Sequence, residues 1–152
     1  MGMRLLNDVD FSNPHSALQH VCGMVDDLHY QLVSTEAVVT SGRRSPKAGS
    51  LHSVPAGFSF RAVDFRRWLL DAKPWYALSA AGRRDETSTW EFLRRARRSW
   101  WAKRYGVQFV LEPEELTSEQ VESRGGLINI GPHIHMELDP NSGGELEWER
   151  IA

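Results

Sequence analysis

Hydrophobic residues recur at helical spacing in two parts of the chain. In residues 18–28 the apolar positions fall on one side and polar residues face away, which predicts an amphipathic helix. Ser88-Thr89-Trp90-Glu91 has the form of a capping box, and apolar residues continue behind it at helical spacing. We therefore expect a second helix over residues 88–103. Residues 68–70 are apolar, but the segment that they begin has a pattern that predicts neither a helix nor a strand.

Shorter apolar or β-branched runs predict strands. We expect strands at residues 36–40, 62–65, 105–111 and 127–138, with a polar, acidic insert at residues 113–126 between the last two. This order of elements predicts an α+β domain, with a small and mainly antiparallel sheet flanked by helices.

Composition places these elements in one globular unit. The chain has 152 residues, 41% hydrophobic content and a formal charge of −2, so we expect a single domain over residues 1–152 with one core. The one cysteine, Cys22, lies on the apolar side of the first predicted helix, where a buried core thiol is expected. Residues 1–7 contain no apolar signal region, and no stretch approaches the roughly 18 apolar residues of a membrane span. These features predict synthesis in the cytoplasm without a signal peptide.

Two histidines stand one residue apart inside the last predicted strand. Because side chains alternate with period two, His133 and His135 face the same side of that strand. Two imidazoles and a carboxylate are a usual ligand set for a hydrolytic zinc, and His52 and Asp64 offer such groups upstream. The alternative interpretation is that the pair consists of ordinary strand residues with no metal. Structural or surface roles are expected for the other histidines, which are His15, His20 and His29.

A basic run occupies the second predicted helix. Residues 94–104 are rich in arginine, which is typical of a solvated helix face with charge pairs four residues apart. The same face could instead bind an anionic cell-wall polymer or nucleic acid. The balanced net charge and the lack of a nucleic-acid-binding motif argue against nucleic acid as the main substrate.

Five segments, taken in order, resemble a known family. They are Thr40-Ser41-Gly42-Arg43-Arg44-Ser45, Ser50-Leu51-His52, Ala62-Val63-Asp64-Phe65-Arg66, Tyr105-Gly106-Val107-Gln108-Phe109-Val110-Leu111-Glu112 and His133-Ile134-His135-Met136-Glu137. Together they look like the zinc D,D-peptidase and Hedgehog-type fold of the peptidase M15 group. That group includes D-alanyl-D-alanine carboxypeptidases, murein endopeptidases and phage endolysins.

The resemblance implies a zinc ligand set. His52, Asp64 and His135 correspond to the ligands of one zinc ion on the open sheet face. A zinc ion in such a site polarises an amide carbonyl and lowers the pKa of a coordinated water toward about 7.

The resemblance also implies roles for residues beside the zinc. His133 would face the pocket and form a hydrogen bond with the developing oxyanion. Arg44 corresponds to an arginine that holds a substrate carbonyl or carboxylate, and Ser50 corresponds to a substrate contact.

The general base of the family has no direct counterpart here. Catalytic members carry an acidic residue three positions before the last ligand, where this chain has Pro132. We hypothesise that Glu112 is the base, because the insert at residues 113–126 could separate it from His133 in sequence while the two remain close in space. Glu114 and Glu115 are alternatives within reach.

The resemblance predicts hydrolysis of an amide bond at or near D-alanine in bacterial peptidoglycan. The likeness to phage members favours a phage or prophage protein that acts on the cell wall after release or is carried in a virion. The main alternative is a catalytically silent zinc-binding member that serves as a structural or binding module with virion partners, which Pro132 supports. The third hypothesis is a degenerate member of this fold that binds no metal.

Overall fold

The computed structural model describes residues 3–43, 57–72, 87–138 and 149–151. The strands are β1 (Arg4–Leu5), β2 (Val38–Ser41), β3 (Ala62–Phe65), β4 (Val107–Glu112) and β5 (His133–Leu138). The helices are α1 (Ser16–Val33), α2 (Trp68–Ala72), α3 (Ser88–Arg98), α4 (Trp100–Tyr105) and α5 (Ser118–Ser123), with a 3-10 turn at Leu127–Asn129.

The strands form one mixed sheet in the order β1-β2-β3-β5-β4. β1 runs parallel to β2, whereas β2 with β3, β3 with β5, and β5 with β4 are antiparallel pairs. The prediction of a small, mainly antiparallel sheet flanked by helices is confirmed. β5 occupies the position between β3 and β4, so it touches both strands that carry candidate site residues.

The first helix forms where the hydrophobic spacing predicts it. His15 caps its beginning, since the His15 Nδ1 accepts a hydrogen bond from the Ala17 amide at 3.0 Å. His29 is buried near its end and donates from Nδ1 to the Thr35 carbonyl at 2.7 Å. Both histidines therefore have the structural roles expected of them. None of the helices in the described part of the chain is long and apolar enough to cross a lipid bilayer.

The predicted helix over residues 88–103 is two helices, so its continuity was wrongly predicted. Ser99 ends α3 and caps α4, because its hydroxyl accepts a hydrogen bond from the Ala102 amide at 3.2 Å. A serine that satisfies a free backbone N–H begins a new helix more readily than it continues an old one.

The capping box predicted at the start of α3 is also wrong. The N-cap residue is Thr87, whose side chain forms no capping hydrogen bond, and Ser88 is already helical. Glu91 instead forms ion pairs with Arg94 and Arg95, with 2.7 Å between its Oε2 and the Arg95 Nε. A nearby guanidinium competes successfully with the backbone N–H for this carboxylate.

The last predicted strand begins later than expected. β5 starts at His133, whereas residues 127–129 form a 3-10 turn in which Leu127 and Ile128 are exposed. Pro132 has no N–H to donate to a strand ladder, which is consistent with the later start.

The core lies between the sheet and helices α1 and α3. Ile134, Met136 and Leu138 of β5 are fully buried in it, while His133 and His135 belong to the opposite side of the strand. Cys22 is part of the same core, and burial, with a smaller effect of Asp26, raises its pKa to about 12. The prediction of a core thiol is confirmed.

Two isoleucines provide a test of this core. Ile134 is 0% exposed and Ile128 is 95% exposed. We expect Ile134→Ala to lower the free energy of unfolding by about 2–5 kcal/mol, because it leaves a cavity under the sheet. Ile128→Ala, the matched control, should change it by less than about 0.5 kcal/mol. Urea denaturation measures both, and equal transition midpoints would contradict the placement of β5.

Candidate active site

Strand pairing brings four candidate side chains to one side of the sheet. Asp64 on β3 is paired with His135 on β5, and Glu112 at the end of β4 is paired with His133. Because positions two residues apart on a strand share a face, His133 and His135 lie beside these two carboxylates. The core occupies the other face of the same strands.

Asp64 and His135 are in direct contact. The His135 Nδ1 lies 2.9 Å from the Asp64 Oδ1, and its Nε2 lies 2.7 Å from the Glu137 Oε1. Burial opposes the charged form of His135, but the hydrogen bonds and charges of the two carboxylates outweigh it and raise its pKa to about 9. Without a metal, His135 is therefore a doubly donating imidazolium at neutral pH.

His133 is oriented by the turn that precedes it. Its Nδ1 donates to the Gly131 carbonyl at 2.6 Å, which turns Nε2 toward the two carboxylates. The Nε2 lies 3.3 Å from the Glu112 Oε2 and 3.6 Å from the Asp64 Oδ1. Burial opposes protonation here too, but the Glu112 hydrogen bond and the Asp64 charge raise the pKa of His133 above its usual value.

Glu112 is a buried carboxylate that lies between an imidazole and a guanidinium. One oxygen faces His133, and the other forms an ion pair with Arg124 of the insert. Burial alone would raise the pKa of Glu112, but the contacts with His133 and Arg124 lower it. The expected proximity of Glu112 and His133 is confirmed, because the whole insert loops out between two paired residues.

The alternative bases are engaged elsewhere. Glu114 accepts hydrogen bonds from both terminal nitrogens of Arg67, and Glu115 accepts one from the Leu111 amide at 2.8 Å. Glu115 is also paired with Arg97. Of the three candidate glutamates, Glu112 is the one that the structure places beside the histidine pair.

The structure describes two of the three predicted zinc ligands, Asp64 and His135. His52, together with Arg44 and Ser50, lies outside the described residues. Within residues 3–43, 57–72, 87–138 and 149–151, no group of three histidine, cysteine or acidic side chains is arranged to hold a metal ion. Asp64 and His135 nevertheless fit zinc by the chemistry of their donor atoms. Zinc requires a ring nitrogen with a free lone pair, so its binding would replace one carboxylate contact of His135 and release a proton.

Two residues join this site that the sequence analysis did not select. Glu137 lies two positions after His135 on β5, so strand periodicity alone could have placed it there. No comparable signal pointed to Arg124, because its position depends on how the insert folds back.

The chain was compared with known proteins at three levels. No protein-family model, curated protein or solved structure matches it. The family resemblance therefore stays a prediction.

Zinc binding should depend on His135. We expect zinc-reconstituted protein to retain about one zinc per chain after dialysis and to melt at a higher temperature than chelator-treated protein. Binding to the folded state alone stabilises it by ~4 kcal/mol when free metal is a thousandfold above Kd. His135→Ala should lose both the zinc and the melting shift.

His20 supplies the matched control for this measurement. Its ring lies against Trp100 and Tyr105 on the helical side of the molecule. His20→Ala should keep the zinc and the shift. Zinc retained by His135→Ala, or no zinc in reconstituted wild-type protein, would contradict the metal site.

Proposed function

We propose that this protein is a zinc-dependent peptidase that hydrolyses an amide bond at or near D-alanine in bacterial peptidoglycan. The observation that supports it most is the convergence of Asp64, Glu112, His133 and His135 on one sheet face. Imidazoles and carboxylates in such a cluster can supply both metal ligands and groups that move protons. The ordered resemblance to zinc D,D-peptidases selects the reaction.

His52, Asp64 and His135 would be the three protein ligands of the zinc ion. A bound zinc would polarise the scissile carbonyl and make a water molecule acidic enough to attack near neutral pH. Glu137, which contacts His135 at 2.7 Å, would orient that imidazole as a carboxylate neighbour of a metal ligand commonly does.

Glu112 is the proposed general base. Its carboxyl group is held ionised by His133 and Arg124, so it can accept a proton from the attacking water at Oε2. It would then donate that proton to the leaving amine. A carboxylate offers several lone pairs, so the ion pair at Oε1 does not use up its capacity as an acceptor.

His133 is the proposed oxyanion donor. Its Nδ1 donates to the Gly131 carbonyl, so Nε2 can donate only in the imidazolium form, and its N–H would exchange the contact with the Glu112 Oε2 for the developing oxyanion. A hydrogen-bond donor oriented in advance stabilises negative charge as it develops on a carbonyl oxygen. Arg44 and Ser50 are proposed to contact the substrate.

A catalytically silent zinc-binding module is the second candidate. Pro132 occupies the position of the family's base. The contacts of Glu112 with His133 and, to a smaller extent, Arg124 outweigh burial and lower its pKa, which makes it a weaker proton acceptor. Such a module would act as a structural or binding component, for instance in a virion. A phage or prophage origin accords with either candidate and rests on the family likeness.

Digestion of purified peptidoglycan tests the base. We expect the zinc-loaded protein to hydrolyse peptidoglycan, which would expose new amino groups or release free D-alanine. Glu112→Gln should keep its zinc but lose at least about a hundredfold in rate, since general bases contribute about 10²–10⁴-fold. The matched control is Glu119→Gln, at an exposed position of α5.

The outcomes separate the candidates. Unchanged hydrolysis by Glu112→Gln would exclude Glu112 as the base. Zinc binding without any release of amino groups by the wild-type protein would instead favour the silent module.

A further inference from the structure

A second cavity lies where the end of α1 meets β1, β2 and the beginning of α2. Its volume is about 730 Å³, which is within the range of about 300–1,000 Å³ that is usual for small-molecule sites. The described residues that line it include none of the candidate site residues Asp64, Glu112, His133 and His135. The proposed peptidase function therefore gives this cavity no role.

Two exposed aromatic side chains line the cavity. Tyr30, near the end of α1, and Trp68, the first residue of α2, are each 61% exposed. The guanidinium of Arg66 lies 4.6 Å from the centroid of the Trp68 ring, and this cation–π contact favours one orientation of the indole. Exposed aromatic rings at a concave surface are typical of a binding site, because burying them against a ligand is favourable.

The charged side chains of the cavity are balanced in sign. Arg4 and Arg66 supply guanidinium donors, and Asp26 and Glu36 supply carboxylate acceptors. A phosphate or another anion would meet both carboxylates as well as both guanidinium groups, so the net attraction for it is small. The cavity is therefore suited to an uncharged ligand that both donates and accepts hydrogen bonds.

Asp26 is the most buried of these polar groups. It is 8% exposed, and its Oδ1 accepts a hydrogen bond from the Ala37 amide at 2.8 Å. In the described part of the chain, the Asp26 Oδ2 accepts no hydrogen bond. Because a largely buried carboxylate oxygen usually has a donor, a ligand hydroxyl or amide N–H in the cavity would satisfy it.

We propose that this cavity binds an uncharged sugar ring of a glycan. A sugar ring has an apolar face of C–H groups, which packs against an aromatic ring, and a rim of hydroxyls, each of which donates and accepts hydrogen bonds. Tyr30 and Trp68 would contact the face, and the arginines and carboxylates would contact the rim. An N-acetylated sugar fits this combination best, because its amide adds one donor and one acceptor without adding charge.

The sugar site goes beyond the proposed peptidase function and does not depend on zinc or hydrolysis. The two sites nevertheless lie on neighbouring parts of the chain. Arg66 follows Asp64 by two residues, so their Cα atoms are at most about 7 Å apart. A glycan held at Arg66 and Trp68 would therefore lie close to the end of β3, the strand that carries the proposed ligand Asp64.

Calorimetric titration with the tetramer of N-acetylglucosamine tests the aromatic contacts. We expect the full-length protein to bind this uncharged sugar, and Trp68→Ala and Tyr30→Ala each to raise Kd by at least about tenfold, because large aromatic residues dominate binding surfaces. Trp100→Ala is the matched control. Trp100 is 57% exposed and lies against His20 on the helical side, so its loss should leave Kd unchanged.

Asp26→Asn tests the buried acceptor. The amide oxygen of asparagine can still accept from the Ala37 amide, but an NH₂ group replaces the second carboxylate oxygen. We expect Kd for the tetramer to rise by about 3- to 30-fold. Urea denaturation of each variant distinguishes a lost contact from a lost fold, since a lost contact leaves the transition midpoint close to that of the wild type.

An anionic sugar tests the role of charge. A sulfated tetrasaccharide from heparin should bind at least about tenfold more weakly than the N-acetylglucosamine tetramer, because the cavity carries no net positive charge. Raising the salt concentration from about 0.05 to 0.5 M should change Kd for the uncharged tetramer by less than about twofold. Tighter binding of the heparin fragment would identify an anion site and overturn the proposal.

The sugar site and the peptidase can fail separately. The proposal is overturned if the wild-type protein does not bind the N-acetylglucosamine tetramer, or if Trp68→Ala and Tyr30→Ala bind it as tightly as Trp100→Ala does. Binding by a protein that does not hydrolyse peptidoglycan would support the sugar site and contradict only the peptidase.

Discussion

The pairing of β5 with both β3 and β4 is the constraint on which the rest of the structure depends. One face of β5 is fully buried, through Ile134, Met136 and Leu138. A slip of one residue would move these side chains out of the core and bring the histidines in, so the register is strongly specified. The same register sets His135 opposite Asp64 and His133 opposite Glu112. The hydrophobic core thus fixes the strand register that positions the polar site.

Burial of charge determines how the site is organised. Asp64 and Glu112 are both buried carboxylates, and a carboxylate removed from water is costly unless cations or donors compensate it. His133, His135 and Arg124 supply that compensation. Each of these contacts places an imidazole or a guanidinium beside a carboxylate. Compensation of buried charge and proposed catalysis therefore use the same side chains.

The insert leaves the sheet after Glu112 and returns a side chain to the same residue. Its start is anchored to the domain by Arg67 and Arg97, and its far end returns Arg124 to Glu112. A segment that leaves and re-enters between two paired residues can change length without altering the register of the strands.

The sequence by itself determined where α1 and β3 lie and that His133 and His135 share one face of β5. The spacing in residues 18–28 predicted α1, the β-branched run at 62–65 predicted β3, and the one-residue gap between His133 and His135 predicted their common side. These features follow from local periodicity, because burial of one face is the main driving force for each element.

Only the tertiary structure decided which distant groups meet. The pairing of Glu112 with His133 and the return of Arg124 depend on strand register and chain reversal, which local patterns do not encode. The break at Ser99 and the competition of Arg95 for Glu91 were missed for a related reason. A side chain that can bond either to the backbone or to a neighbouring charge is assigned only when its three-dimensional surroundings are known.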